Sequence, residues 1–209
     1  MAKTFERMIY MSEERLKKQL EFLVEIDKMK NVLRRTLIVD GSRRENDAEH
    51  SWHLAMLAMV LEEYSEREIN ISRVVRMCLV HDLVEVYAGD TFAYDEKGYE
   101  DKLARETAAA DKLFSMLPTE QGEEFRALWE EFDEAQTADA MYAAAMDRLQ
   151  PIMNNFLTDG HTWKEGKVTS DKVLDRMQPI KKATPELWQV VEYIVNTSVE
   201  RGILQKGSD

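Results

Sequence analysis

Apolar residues recur at three- and four-residue intervals along almost the whole chain, and the alternation of a half-buried strand is never sustained. The pattern predicts an all-α fold. Ser12, followed by Glu13 and Glu14, suits the N-cap of a first helix running to near Lys30, with Leu16, Leu20, Leu23, Val24 and Met29 along one side. A loop containing Gly41 should follow. Asn46 and Glu49 have capping-box spacing and open a helix through Trp52, Leu54, Met56, Leu57, Met59, Val60 and Leu61. Residues 72–88 are apolar on nearly every side, as a helix in the middle of a bundle would be, and Gly89 should end them. Further helices are expected over residues 96–117, 120–135, 139–157, 171–180 and 185–202, with Thr184 and Pro185 as N-cap and first residue of the last. Residues 158–168, TDGHTWKEGKV, lack periodicity and read as a loop.

Length and charge narrow what such a fold can do. A chain of 209 residues is read as one domain over residues 1–209 with a sizeable core. The single Cys78 has no internal disulfide partner, and no segment has the apolar length of a signal sequence or membrane span, so a cytoplasmic location is expected. The net charge of -12 opposes binding to a polymeric nucleic acid. A small phosphorylated substrate remains open, because residues 27–44 carry Lys28, Lys30, Arg34, Arg35, Arg43 and Arg44 against only Asp27 and Asp40. Any one of Lys30, Arg34, Arg43 and Arg44 is read as a solvated side chain.

The chemistry concentrates where the apolar pattern makes it costly. His81, Asp82 and Glu85 lie on the most hydrophobic predicted helix, and buried charges require pairing, hydrogen bonds or coordination. Helical spacing of three and four residues lets them project toward one side. For an isolated pair, a buried histidine bonded to a carboxylate is the favoured explanation. His50 at the start of another helix and Asp147 inside AMYAAAMDRLQP favour a metal, with four ligands from three closely packed helices. Two imidazoles and two carboxylates suit manganese, cobalt, iron or zinc better than calcium. Asp139 rivals Asp147, and His53, one turn beyond His50, rivals it as a ligand. Pro151 should bend the helix near Asp147. His161 is expected to be exposed, and Cys78 to be core packing.

The segments RRENDAEHSWHLAMLAM, CLVHDLVEVYAGD and AMDRLQP resemble the HD-domain superfamily, particularly its 5'-deoxynucleotidase-like branch, over most of the chain. The resemblance implies a helical bundle, often a homodimer, in which His50, His81, Asp82 and Asp147 bind one divalent ion: manganese, cobalt, iron, zinc or magnesium. It implies that Glu85 handles the attacking water, that Asp90 lines the reaction site and that Arg35 contacts substrate. The activity it implies is hydrolysis of a (deoxy)nucleoside 5'-monophosphate to nucleoside and phosphate. Bacterial members of that branch carry Trp after the arginine where this chain has Thr36, which leaves deoxyribose preference open.

Two alternatives belong to other classes: a nucleotide pyrophosphohydrolase using the same ion, and a non-catalytic nucleotide-binding dimeric module. Two-metal phosphodiesterases of the superfamily use additional histidines, whereas no histidine lies between His81 and Asp147. Alarmone-type hydrolases show HDxxED, and here Val86 follows Glu85. Residues 158–168 are expected to cover the site, with Trp163 as a lid contact.

Overall fold

A computed structural model describes residues 13–207. Helices dominate, as the apolar periodicity predicts. Helix α1 (Glu14–Ile26) continues into a 3-10 turn (Asp27–Asn31) and a short hairpin of β1 (Leu33–Leu37) and β2 (Arg44–Asn46). Then come α2 (Asp47–Val60), a 3-10 turn (Glu62–Tyr64), α3 (Ile71–Val80), α4 (Glu85–Ala88), α5 (Glu96–Tyr99), α6 (Lys102–Phe114), α7 (Thr119–Glu134) and α8 (Ala138–Leu157). The chain finishes with α9 (His161–Glu165), α10 (Ser170–Arg176), α11 (Gln178–Ala183), a 3-10 turn (Pro185–Leu187) and α12 (Trp188–Glu200). Among the described residues no helix is long and apolar enough to cross a membrane.

The central element is α8, not the 72–88 segment. Ala140, Ala143, Ala144 and Ala145 are buried with Tyr142, Met146, Leu149 and Ile152, and α8 packs against α2, α3, α7, α11 and α12. Small alanine side chains let so many helices approach one axis. In α3, by contrast, Val74, Met77, Cys78 and Val80 are buried while Ser72, Arg76 and Leu79 face solvent. Unbroken hydrophobicity there overstated burial. Thr137 caps α8 by accepting from the Ala140 N–H at 3.2 Å.

Several boundaries differ for local reasons. Ser12 lies outside the described residues, and Glu13 precedes α1 without a side-chain cap. The Asn46–Glu49 capping box forms: Asn46 Oδ1 accepts from the Glu49 N–H at 3.0 Å, and Glu49 Oε2 accepts from the Asn46 N–H at 3.3 Å. The expected 72–88 helix breaks after Val80, where the next turns close by tighter bonds, Leu83 N–H to Val80 O and Glu85 N–H to Asp82 O. Gly89 does end this segment, at φ 75°. Around Gly41 the expected loop is the tip of the hairpin. Its register, Leu33 opposite Asn46 and Leu37 opposite Arg44, places five residues against three and requires a bulge. The 96–117 and 171–180 helices are each divided in two. Thr184 does not cap the last helix; its hydroxyl donates to Ile180 O at 3.0 Å, finishing α11. The 158–168 segment is not a loop throughout, since α9 forms after Gly160, whose φ of 69° and position against Ile203 O exclude a side chain.

Candidate metal centre and adjoining pocket

Three parts of the fold deliver the chemistry to one buried point. The capping box of α2 places His50 in its first turn, the break after α3 presents His81 and Asp82, and α8 supplies Asp147 from its middle. His50 Nε2 lies 3.0 Å from Asp147 Oδ1 and 3.8 Å from Asp82 Oδ2. His81 Nε2 lies 3.1 Å from Asp82 Oδ2 and 3.8 Å from Asp147 Oδ1. Ligand atoms of His50, His81 and Asp82 all fall within 4.8 Å of one another. The rivals stand elsewhere. Asp139 accepts the Asn70 N–H at 2.8 Å, joining the start of α8 to that of α3, and His53 Nδ1 faces the Gln150 amide at 3.3 Å. His161 is half-buried beside Glu165, and Cys78 is a buried thiol whose pKa burial raises.

The outer hydrogen bonds fix which imidazole nitrogen faces the centre. His81 Nδ1 lies 2.9 Å from Cys78 O, an acceptor only, so its Nδ1–H donates there and Nε2 is left facing the cluster. Gln150 donates its amide N–H to Glu45 Oε1 at 2.6 Å, which turns its Oε1 toward His50 Nδ1 at 3.1 Å. His50 therefore turns its Nε2 inward, against Asp147 Oδ1. Two imidazole Nε2 atoms and two carboxylates converge, and His81 Nε2 has no hydrogen-bond partner although it is buried. Such a set of acceptors is complementary to a cation, and the donors and their carbonyl supports match a divalent N/O site.

The electrostatics point the same way. Burial alone would lower the His81 pKa, but Asp82 and Asp147 overcome it and raise it to about 10. Positive charge is favoured where Nε2 points. For His50 burial prevails, with repulsion from Arg34, and its pKa is lowered. Burial opposes ionisation of Asp82 and Asp147, yet His81 beside the first and Arg148 beside the second hold both below the usual carboxylate range. Glu85, buried and facing the charges of Asp82 and Asp47, is raised well above it.

Arg34 corrects its reading as a solvated side chain. It is half-buried, with Nη1 2.8 Å from Asp82 Oδ2, 3.4 Å from Asp47 Oδ1 and 3.9 Å from Asp90 Oδ1, and with Nε 4.0 Å from Glu45 Oε2. Exposed Lys30 and Arg43 instead pair with Asp27 and Glu49. Sequence reasoning also missed Glu45, Asp47, Gln150 and Arg148. Asp47 resembled an ordinary acid in a first helical turn, whereas Gln150 could have been found from its spacing of three residues after Asp147.

Two cavities meet at this cluster. The inner one is bordered by His81, Asp82, Glu85 and Asp90. The outer one, about 600 Å³ with its open mouth, is walled by Arg35, Thr36, Phe92, Tyr94, Trp163 and Met177. Arg35 lies over the Phe92 ring at 4.6 Å. Trp163 is buried in that wall rather than acting as a lid, and the 158–168 segment borders the outer cavity, not the chamber around His81.

The HD domain family matches residues 26–188. The chain belongs to the HD domain family. Among curated relatives, the 5'-deoxynucleotidase HDDC2 of Xenopus laevis is 31% identical over 66% of this chain and 67% of its own length. The human protein of that name is 30% identical over 64% of this chain and 65% of its own length. The chain thus spans about two thirds of the curated relatives it matches. A solved structure from Magnetospirillum magnetotacticum, described as a predicted metal-dependent phosphohydrolase, is 49% identical with a TM-score of 0.88, covering 92% of this chain and 97% of that one.

Proposed function

We propose that this HD-domain protein is a metal-dependent phosphohydrolase acting on (deoxy)nucleoside 5'-monophosphates, with residues 1–209 as one domain. The observation that carries the reading is the pair of imidazole Nε2 atoms converging with two carboxylates beside an arginine-lined, aromatic pocket. His50, His81, Asp82 and Asp147 would hold one divalent ion, which when bound supplies Lewis acidity toward phosphoryl oxygens. Glu85, bordering the inner chamber beside Asp82, takes the proton of the attacking water. Asp90, bordering both cavities and 3.9 Å from Arg34, orients the substrate entering between them. Arg35 on Phe92 offers a flat cationic face to the outer part of the substrate. The 5'-deoxynucleotidase relatives support the substrate class.

A panel of ribo- and deoxyribonucleoside monophosphates assayed with manganese or cobalt tests the proposal. Release of inorganic phosphate from at least one member is expected; none from any member would overturn it. Homodimerisation and a cytoplasmic location belong to the same reading. Trp52, Met56, Met59 and Val60 form an exposed apolar stripe on α2 that a second copy would cover, and scattering-coupled size exclusion should give twice the mass of one chain.

A further inference from the structure

Arg148 and Arg176 border the inner chamber and the outer pocket alike, at the junction between them. They come from different elements, α8 and α10. Arg148 touches Asp147 Oδ2 through one guanidinium nitrogen, leaving its other N–H donors uncommitted to that carboxylate. Arg176 reaches the Tyr99 hydroxyl at 3.5 Å and lies 5.9 Å from the Tyr94 ring, and among the described residues no carboxylate lies within ion-pairing distance of it.

The chain carries forty acidic side chains and a net charge of -12, yet among the described residues only Asp147 pairs with either arginine. With Arg148 paired to Asp147 and Arg176 to no carboxylate among the described residues, the junction carries more positive charge than its neighbours offset. Lys172, at the outer edge of the same cleft, is by contrast paired with Glu96 at 3.2 Å. A tetrahedral oxyanion at the junction would receive parallel N–H donors from both arginines while lying next to the imidazole–carboxylate cluster.

We propose that Arg148 and Arg176 form an anion subsite for the phosphoryl group, with Arg176 as its principal free donor and Arg35 serving the rest of the substrate. This assignment rests on the phosphohydrolase reading for its purpose, but the subsite can be measured without turnover. Inorganic phosphate is titrated calorimetrically into the full chain, metal-free and manganese-loaded, for the parent and for Arg176→Gln, Arg176→Lys and Lys172→Gln.

Arg176→Gln should weaken phosphate binding by about tenfold in both forms, as expected for a lost charge-assisted contact. Arg176→Lys should restore part of the loss, Lys172→Gln should change nothing, and manganese stoichiometry should stay the same throughout. Where nucleotides are hydrolysed, Arg176→Gln should raise KM more than it lowers kcat. Equal phosphate affinity in the parent and Arg176→Gln would overturn the subsite, even with nucleotide hydrolysis intact. Failure of the nucleotide panel alone, with the Arg176 dependence of phosphate binding retained, would overturn the substrate reading and leave the subsite standing.

Discussion

Replacing Gln150 by Leu tests whether hydrogen bonds behind the imidazoles build the metal centre. The substitution removes the acceptor 3.1 Å from His50 Nδ1 and the donor 2.6 Å from Glu45 Oε1, both fully enclosed. Each orphaned buried group costs about 1–3 kcal/mol, so the two together should lower stability by roughly 2–5 kcal/mol after the apolar gain from leucine is allowed for. His50 would also lose what holds its proton on Nδ1. Outer contacts of this kind change metal affinity by about 10–100-fold, equivalent to about 1.4–2.7 kcal/mol. Urea unfolding of chelator-treated protein reads the first quantity and calorimetric titration with manganese reads the second. Gln150→Glu keeps an acceptor for His50 while opposing Glu45, so it should be destabilised yet bind manganese more tightly than the leucine variant. Manganese affinity of Gln150→Leu within twofold of the parent would refute the argument and leave Gln150 as a core-filling residue.

Other perturbations separate the remaining roles. Glu85→Gln should reduce phosphate release by about 100-fold or more with manganese stoichiometry unchanged, because it removes a proton acceptor; unaltered kcat would remove Glu85 from water activation. Arg34→Met strips a half-buried cation from Asp47, Asp82 and Asp90 and should cost about 3–5 kcal/mol in metal-free protein, measured by urea midpoint. Burial raises Glu45 to about 7 against the pull of Arg34, and burial with the charge of Asp82 raises Asp47 to about 7. Between their unfolded values and pH 7 the folded state therefore binds more protons than the unfolded state, so these two groups make metal-free protein less stable as pH rises through that window. Glu45→Gln should flatten that decline; an unchanged slope from pH 5 to 7 would show that Glu45 is not buried as an acid.

The readable parts of the sequence were those with local causes. The Asn46–Glu49 capping box and the Gly89 stop depend on neighbours within one turn, and both form. His81 and Asp82 were conspicuous because a charge on an apolar segment needs a partner. Less legible was anything set by tertiary approach. Arg34 and Arg35 look equivalent in a basic run, yet one is enclosed by carboxylates and the other rests on an aromatic ring. The centrality of α8 was hidden because its alanines are less conspicuous than the valines, leucines and methionines of residues 72–88, although small side chains are what permit close packing. Glu45 belonged to no periodic pattern, and its role appears only when β2 brings it against Gln150.

The bulged hairpin gives adjacent arginines addresses in different compartments. Arg34 neutralises the interior acids, while Arg35 faces whatever occupies the outer pocket. Inserting or deleting one residue between Leu33 and Thr36 would exchange those addresses, stranding a charge and emptying a recognition position together. Variation in this hairpin should therefore be tolerated at its tip around Gly41 but penalised wherever it shifts strand phase, so that fold integrity and substrate choice are inherited as one trait.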